Sequence, residues 1–558
     1  MRILVIFETL PLPDGGGADH RLMQVIGLLC EQGHAVTFLA PRSNGTAVHA
    51  APLKTLGVEV QLDDSDVLRA EGTDIASKWT LQELLGQGQF DLAIISLWFW
   101  MGVTLPEHYL DAIRQLSPET RIAILTDDCH GIRELGGAEI SGLWSDRERA
   151  VDFSERESEA YRRSDLVICI SHSDREKIAQ AAPGVPIEVL PMMIETPPSA
   201  PIPDFDSREG IVYLGHFNNP PTLDGLEWYI REIAPFVYEK LPHLKLYLVG
   251  AGLPADWTSP DPNLVRVGFQ HDLAGEFGKR RVLISPVRFG TGVKTKNLHA
   301  LANGLPVVTN SKGADGANFI SGKNAFVRDD PRAFADAVIR LCTDAALWNQ
   351  ISENSRAHAE QYFSKSRMDS ALSSILGRAV ELSPKSYDPE HVWSVRLVEN
   401  LFADVLNYHP AHQRRSIRVI AHARAAEQLL AQDDGAGARR QLRHVFNYFS
   451  HTVSRNIFFT SFAKVAQSMD RTYRALGESE GADEFCREAR TLSSSVFPEP
   501  SPGTQVRPVA ATSARESEGL HPAVAPSVPA CRTAEIMRAP AQIPVLAETA
   551  PQKNASHP

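Results

Sequence analysis

The feature that most constrains the fold is a series of short apolar segments that alternate with helix patterns. Residues 2–7 (RILVIF) read as a buried parallel strand, because the run is continuously apolar and ends at Pro and Gly residues. A helix pattern follows over residues 20–33, with Gly33 as its C-cap, and residues 35–40 (AVTFLA) read as the next strand. Strand, Gly-rich turn, helix and strand together predict a βαβ unit.

The alternation occurs twice along the chain. A Pro-rich, acidic segment at 195–209, typical of an interdomain linker, separates the two sets. The first set continues, around a helical stretch at 147–163, with strand candidates at 91–97, 121–126, 165–171 and 187–191. The second set has helix candidates at 222–240 and near 294–303 and strand candidates at 210–215, 244–250, 264–269, 282–286 and 306–310. We therefore expect an α/β protein with two doubly wound domains and a ligand cleft between them, at the C-terminal ends of the strands.

The remainder of the chain lacks this alternation. Residues 330–382 are predicted to be helical, and AQDDGAGARRQL (431–442) reads as a turn between antiparallel helices. After Phe497 the chain is rich in Pro, Ala and Ser, which is typical of disorder. Tetratricopeptide-like hairpins would suit the all-α domain, although no clean repeat period occurs. The expected regions are Rossmann-like domains at 1–198 and 210–384, the second with crossover helices, an all-α domain at 386–497 and a disordered tail at 498–558.

Composition excludes several classes of protein. With 43% hydrophobic and 22% charged residues, the 558-residue chain has the make-up of a soluble globular protein. Its net charge of −12 argues against a general nucleic-acid binder. The six cysteines form no C-x-x-C pair, which gives no support to zinc or redox motifs and suits a reducing compartment. Because no apolar run reaches the length of a signal peptide or a membrane span, we expect a cytoplasmic protein.

One loop has the chemistry of an anion site. The segment VRFGTGVKTKNLHALANGLPVV places Lys294 and Lys296 in a Gly-rich loop before a predicted helix. Gly290 and Gly292 allow the backbone to approach a ligand closely, and the helix N-terminus would direct its amides to the same place. Arg288 adds a planar guanidinium that suits phosphate oxygens. The loop therefore favours a diphosphate site that needs no metal; the alternative is a solvated basic loop.

The loop, extended to PVRFGTGVKTKNLHALANGLPVVTNSKGADG, resembles the donor-site segment of family 4 glycosyltransferases with the GT-B fold. Other segments resemble that family in the same order: GGGADHRLMQVIGLLCEQGHAVTFLA, TDDCHGIRE, SDLVICISHSDREKI and GIVYLGHFNNPPTLDGLEWYIREIAPFVYEKLPHLKLYLVG. The resemblance covers roughly residues 1–380. It implies two tandem Rossmann-like domains and metal-independent transfer of a sugar, hexosyl or related, from a nucleotide-diphosphate sugar with retention of configuration.

The same resemblance implies roles for individual residues. The amides of Gly16 and Gly17 would approach the donor phosphates. Arg288, Lys294 and Lys296 would neutralise the diphosphate, which becomes the leaving group.

Further positions follow from the same motifs. His130 would point at the transferred sugar, so the catalytic assignment is His130, Arg288 and Lys294. Gly268 and Phe269 would lie near the nucleotide base. The full set of donor-binding candidates is Gly16, Gly17, Gly215, His216, Gly268, Phe269, Gly292, Lys296 and His299. Trp98 and Trp100, at the end of a strand, are candidates for contact with the acceptor, and packing against the next helix is the alternative.

Two positions depart from the family pattern. The family usually has a Glu where this chain has His299, and that Glu binds hydroxyls of the donor, whereas a neutral imidazole accepts one hydrogen bond at most. The companion Glu, eight positions earlier in the wider family, is Thr291 here, but the branch that this chain resembles commonly lacks that Glu. Near Gly215, where the family often has an Arg or a Lys, this chain offers only His216 and Asn218.

Acidic pairs raise the question of a metal. Asp127 and Asp128 adjoin His130, and Asp64 and Asp66 resemble the D-x-D motif of metal-dependent transferases of another fold. A GT-B site does not need the ion, and adjacent acidic residues are common. We therefore expect no metal and no other cofactor.

The sequence thus predicts a retaining glycosyltransferase that acts on a glycan or lipid-linked acceptor, with a role in cell-surface polysaccharide biosynthesis. The alternative is a catalytically impaired nucleotide-sugar-binding or scaffold protein on the same fold, for which the His299 departure argues. A sugar-phosphate isomerase or epimerase would need a pair of acid/base carboxylates, and no convincing pair is found. Expected partners are the nucleotide sugar, the acceptor, the inner face of the membrane as a peripheral contact, and a protein bound by the helical domain, but no nucleic acid.

Overall fold

The computed structural model describes most of the chain up to residue 483. The described residues are 1–11, 16–41, 47–62, 80–97, 99–100, 103–194, 204–254, 256–259, 261–391, 393, 411–452, 468–479 and 481–483. The predicted tail at 498–558, most of the predicted linker, and Asp64 and Asp66 lie outside these residues.

The first sheet confirms the first alternating pattern. Its strands are all parallel and lie in the order β3-β2-β1-β4-β7-β8-β9, while β5 and β6 form a separate antiparallel hairpin. The strands are β1 (Arg2–Ile6), β2 (Ala35–Ala40), β3 (Glu59–Leu62), β4 (Leu92–Ser96), β5 (Phe99–Trp100), β6 (Val103–Thr104), β7 (Arg121–Thr126), β8 (Leu166–Cys169) and β9 (Ile187–Val189). The order reverses between β1 and β4, and the crevice at such a point is where ligands bind in this class of sheet.

The helices of this half flank the sheet, and several begin at caps that the sequence encodes. Thr80 and Glu83 form a capping box at α3, and Thr104 and Glu107 form another at α4. The helices are α1 (Gly17–Glu31), α2 (Ala47–Thr55), α3 (Leu81–Gly88), α4 (Leu105–Leu116), α5 (His130–Ser141), α6 (Trp144–Arg163) and α7 (His172–Ala181). The predicted helix at 147–163 is thus confirmed and begins three residues earlier.

The second sheet confirms the restart of the pattern. Its parallel strands lie in the order β12-β11-β10-β13-β14-β15. They are β10 (Glu209–Leu214), β11 (Leu246–Val249), β12 (Leu264–Gly268), β13 (Arg280–Ser285), β14 (Val307–Thr309) and β15 (Phe326–Val327). The predicted helix at 222–240 is α8 (Pro220–Trp228), a π-helical turn (Tyr229–Ile233) and α9 (Ala234–Lys240) in succession. The other helices are α10 (Leu273–Lys279), α11 (Thr295–Ala302), α12 (Pro331–Thr343), α13 (Ala345–Phe363) and α14 (Lys365–Glu381).

Helix α14 crosses back to the first half of the chain. Its buried face, which includes Met368, Leu372 and Ile375, belongs to the same hydrophobic core as strand β1. The Arg121 side chain donates a hydrogen bond to the carbonyl of Leu382 over 2.8 Å. The crossover ties the two halves together and so fixes the walls of the cleft between them.

Two further helices confirm the predicted helical hairpin. They are α15 (Ala411–Ala431) and α16 (Gly435–Thr452), and the break between them falls in the predicted turn. Asp434 stabilises the start of α16 by accepting a hydrogen bond from the amide of Gly437 over 2.8 Å. Their apolar residues, with Met469 and Tyr473, form a small core. No helix in the described part of the chain is long and apolar enough to cross a membrane.

Candidate active site

A cleft of about 920 Å³ lies between the two halves, as expected from two doubly wound sheets. Residues from both halves line it. Those that the sequence predicted are Gly16, Gly17, His130, Gly215, His216, Phe269, Lys294, Lys296 and His299. Gly268, Arg288 and Gly292 do not line it.

Two helix N-termini meet in this cleft. Helix α1 begins at Gly17 and α11 begins at Thr295, and a Cβ added to Gly17 would lie 3.1 Å from Cγ2 of Thr295. Because Gly17 has no side chain, the first turns of the two helices approach closely. Unpaired amides at a helix N-terminus attract anions, so two such ends favour a negatively charged ligand.

Lys294 is the N-cap residue of α11 and is held by its own loop. Its Nζ donates hydrogen bonds to the carbonyls of Thr291 over 2.6 Å and Gly292 over 2.9 Å. Burial lowers the pKa of Lys294, although Asp128 and Asp315 act in the opposite direction. The ammonium is therefore fixed at the loop and faces the cleft.

Lys296 lies two residues further on, and its ammonium has an aromatic rather than an acidic neighbour. Its Nζ lies 4.6 Å from the centroid of the Tyr213 ring. Burial, together with the charge of Lys294, lowers the pKa of Lys296 to about 7. Among the described residues no carboxylate pairs with Lys296. An anionic ligand would supply the missing negative charge.

His130 begins α5 and is held by a carboxylate of α6. Glu157 Oε1 lies 2.9 Å from His130 Nδ1 and accepts a hydrogen bond from the His130 amide over 2.7 Å, while Oε2 accepts one from Gly131 over 2.9 Å. The carboxylate thus stabilises the start of α5 and fixes the imidazole, with Nδ1 as the nitrogen directed at Glu157. Both side chains are buried.

The adjacent acidic pair is engaged by cations of the protein. Asp127 forms an ion pair with Arg21, and Asp128 forms one with Arg133. Arg21 also donates to the carbonyl of Leu190 over 2.7 Å. No group of three or more His, Cys, Asp or Glu side chains in the described residues could hold a metal ion. Metal independence stays a prediction.

The Gly-rich loop crosses the cleft and contacts the first half of the chain. Thr291 Oγ1 accepts a hydrogen bond from the amide of Cys129 over 3.1 Å. A Cβ added to Gly292, whose φ is 69°, would lie 2.5 Å from the carbonyl oxygen of Asp127. Gly292 therefore lets the loop approach the backbone of the first half closely. Its predicted approach to a ligand stays a prediction.

The Arg288 side chain is paired with a carboxylate of the second half of the chain. Its Nε donates a hydrogen bond to Asp224 Oδ2 over 3.0 Å, and the two side chains form an ion pair. The guanidinium is therefore already paired, and Arg288 is not part of the cleft wall. The grouping of Arg288 with the two lysines at the diphosphate stays a prediction, because spacing along the loop does not fix the direction of its side chain.

The loops after β10, β11 and β12 form the other wall. A Cβ added to Gly250, whose φ is 129°, would lie 1.8 Å from the carbonyl oxygen of Gly215. The Gly268 carbonyl accepts a hydrogen bond from the amide of Gly250 over 2.9 Å, so Gly268 supports the wall without lining it. Phe269 lines the cleft with 51% of its surface exposed, and His216 lies at the exposed rim. An exposed aromatic face of this kind suits stacking on a nucleotide base.

His299 lines the cleft one turn beyond Lys296. Burial, and then the neighbouring His20, lower the pKa of His299 to about 4. The two imidazole rings have centroids 6.4 Å apart. At neutral pH His299 is therefore uncharged, so the cleft lacks the carboxylate that the family pattern places here.

The acceptor candidates cannot be placed in the same way. Trp98 lies outside the described residues. For Trp100, only the backbone is described, as part of β5. Their contact with an acceptor stays a prediction.

Sequence reasoning missed three side chains of the site: Glu157, Tyr213 and His20. Glu157 lies 27 residues from its partner His130, and no local motif connects them. Tyr213 lies in the predicted strand at 210–215 but is buried, so nothing marked it as a neighbour of Lys296. His20 lies in the Gly-rich N-terminal segment and could have been noticed through that motif.

Comparison with known proteins gives matches to both halves of the chain. Residues 15–196 match the family described as Glycosyltransferase Family 4, and residues 208–344 match the family described as Glycosyl transferases group 1. An uncharacterized 44.6 kDa protein in the cps region of Klebsiella pneumoniae is 24% identical over 172 residues, which are 29% of this chain and 44% of that protein. The chain therefore spans less than half the length of this relative.

Solved structures show a similar fold. TarM of S. aureus superposes with a TM-score of 0.51 at 10% identity, over 68% of this chain and 98% of that chain. HepE of Anabaena, in complex with UDP and glucose, superposes with a TM-score of 0.49 at 14% identity, over 68% of this chain and 100% of that chain. The TarM superposition supports the two-domain α/β fold.

Proposed function

Since the chain is a GT-B-fold protein that resembles the family 4 glycosyltransferases, we propose that it transfers a sugar from a nucleotide-diphosphate sugar to a glycan or lipid-linked acceptor. The observation that supports this most directly is the position of Lys294 and Lys296. Both lie in the cleft between the two halves, where the N-termini of α1 and α11 also meet. A diphosphate is the ligand whose charge matches two ammonium groups and two helix ends.

The chemistry follows from charge. As the bond between the sugar and the diphosphate breaks, negative charge develops on the leaving oxygen. Fixed cations in a site that largely excludes water stabilise that charge in the transition state. Lys294, which is held by its loop, needs no reorganisation, whereas Lys296 becomes fully charged when the anion binds. Under this proposal no metal ion takes part.

The first half would bind the acceptor and the transferred sugar. His130, held by Glu157, lines the cleft next to Cys129, whose amide donates a hydrogen bond to Thr291 of the Gly-rich loop. We propose that its imidazole contacts the transferred sugar. Retention of configuration, through front-face attack with the leaving phosphate assisting deprotonation of the acceptor, is part of the same proposal. The relative from a cps region supports a role in cell-surface polysaccharide biosynthesis.

The test begins with nucleotide binding. Isothermal titration with UDP, GDP, ADP and dTDP identifies the base, and release of the diphosphate from the matching sugar nucleotides measures transfer. Replacing both Lys294 and Lys296 by Ala should weaken nucleotide binding by about 10²-fold or more, since each hydrogen bond to a charged group contributes about 1.5–3 kcal/mol. Lys323→Ala, an exposed lysine of the same half, is the matched control and should bind as the wild type does. Absence of binding by every nucleotide at millimolar concentration would refute the proposal.

A second function is favoured by one observation. His299 is neutral where the family pattern has a carboxylate, which favours a nucleotide-sugar-binding or scaffold protein. Donor binding without turnover would support this second function. The lysine variants distinguish the two functions in cells. If only the scaffold function matters, the double lysine variant should complement a deletion of the gene.

A further inference from the structure

Helix α16 of the hairpin α15–α16 is joined to α6 by ion pairs of Arg443, one with the largely buried Glu148 and one with the half-exposed Glu155. Arg443 Nε donates to Glu148 Oε2 over 2.7 Å, and its Nη1 donates to Glu155 Oε1 over 2.9 Å. The Arg443 side chain is only 11% exposed. Removing one partner of an ion pair that is largely withdrawn from water is costly, because it leaves an uncompensated charge.

The next residue extends the contact into the interior. His444 Nδ1 lies 3.0 Å from Asp152 Oδ1, and both side chains are buried. Arg156 Nη1 donates to the other oxygen of Asp152 over 3.2 Å, and its Nε donates to Glu107 over 2.7 Å. Burial would raise the pKa of Asp152, but His444 and Arg156 together lower it to about 2. The buried Asp152 carboxylate is therefore kept charged by a partner from α16 as well as by one from α6.

An aromatic residue of α6 completes the apolar core of the helical hairpin. The Trp144 ring packs edge-on against Tyr473, with centroids 4.9 Å apart. A Cβ added to Gly481 would lie 2.6 Å from Cη2 of Trp144. Trp144 is the first residue of α6, so the hairpin together with the segment that carries Tyr473 and Gly481 contacts this helix from its first turn to its middle.

Helix α6 also holds the cleft residue His130. At 3.6 residues per turn, Glu157 lies roughly 140° around the helix from Asp152, so the two carboxylates point to different neighbours. Glu157 bonds to the start of α5, as described above. A Cβ added to Gly131 would lie 2.7 Å from Cα of Ser154, so the start of α5 rests directly on α6. A shift of α6 must therefore shift His130.

We infer that the hairpin α15–α16 braces α6 and thereby positions His130 in the cleft, with Arg443 and His444 as positioning residues. The face of the hairpin that carries these residues is covered by the same chain. The inference differs from the expectation that the helical domain binds another protein. The expected effect of the hairpin on turnover rests on the proposed function, whereas its expected effect on the His130 ring does not.

The test uses the full chain with both Arg443 and His444 replaced by Ala. The ¹⁵N chemical shifts of the His130 ring, assigned by their loss in His130→Asn, report its tautomer and hydrogen bonding. We expect these shifts to change, and kcat to fall about tenfold to a hundredfold, as displacement of a reacting group by roughly 1 Å can cause. The KM for the donor should stay within about twofold, because the lysine loop is untouched.

Three further variants keep the outcome decisive. Arg471→Ala removes an ion pair with Glu427 whose arginine is 65% exposed, within the same helical region, and should leave the His130 shifts unchanged. If the double variant does not fold, Glu148→Gln with Glu155→Gln removes the two ion pairs of Arg443 and leaves Arg443 and His444 in place. Arg443→Lys keeps a cation at this position and should change the His130 shifts less than the double variant does. Unchanged His130 shifts in a folded variant that lacks these ion pairs would overturn the inference, whether or not the wild type transfers a sugar.

Discussion

The pKa of Lys296 leads to a prediction about pH. In the free protein this lysine titrates near neutral pH, because burial and the nearby charge of Lys294 lower its pKa to about 7. A bound diphosphate favours the charged form and so raises the pKa towards the ordinary lysine value of about 10.4. Binding is then accompanied by proton uptake. The contribution of Lys296 to affinity is fully present below pH 7 and is lost as the pH rises through 7 and above.

The magnitude follows from the charged fraction of the free protein. With a pKa of about 7, Lys296 is about half charged at pH 7 and about 1% charged at pH 9. If the complex stays protonated, the affinity for a sugar nucleotide falls about fiftyfold over this range. The diphosphate of the donor adds no titration here, since the phosphates of a sugar nucleotide carry no proton at these pH values.

Isothermal titration in buffers of different ionisation enthalpy measures both quantities. Proton uptake should be about half a proton per site at pH 7 and should approach one at pH 8. Lys296→Arg is the control, because arginine stays charged throughout and should flatten the profile. Affinity that is constant from pH 7 to 9, or the same pH dependence in Lys296→Arg as in the wild type, would refute the reasoning.

Three further variants test the walls of the cleft. Gly250→Ala should lower stability by about 1–3 kcal/mol, because its Cβ would strike the carbonyl of Gly215; urea unfolding measures this, and an unchanged midpoint contradicts it. Arg288→Ala should reduce nucleotide affinity less than Lys296→Ala does, because Arg288 is paired with Asp224 outside the cleft wall; an equal loss in titration calorimetry would place Arg288 at the phosphate. His299→Glu should raise donor affinity in the same assay if position 299 contacts donor hydroxyls, and an unchanged affinity would show that it does not.

The fold was largely predictable from local patterns. Strand and helix periodicities depend on residues within one turn or one strand, so the two alternating sets and the turn near Asp434 could be read directly. The short strands β3 and β15 were missed because a run of two to four residues has no period, whereas β9 and β14 lie within longer apolar runs that were predicted. The exact domain boundaries stay a prediction.

The candidate site was predictable only in part. The Gly-rich loop and its lysines are contiguous, and the topology of parallel sheets brings such loops to the edge where ligands bind. Their partners are distant along the chain, and no spacing indicates them. Asp224 pairs with Arg288 across 64 residues, and Glu157 holds His130 across 27.

By itself, the sequence determined the α/β architecture, the cleft and the presence of two lysines at it, because each depends on periodicity or on adjacent residues. The tertiary structure alone decided which charges remain available there. Among the residues that the structure describes, Lys296 has the Tyr213 ring and no carboxylate as its partner. Asp224 engages Arg288, and His20 helps to keep His299 neutral. The physical reason is that the charge state of an ionisable group is set by its neighbours in space and by its access to water. Neither can be read from the sequence.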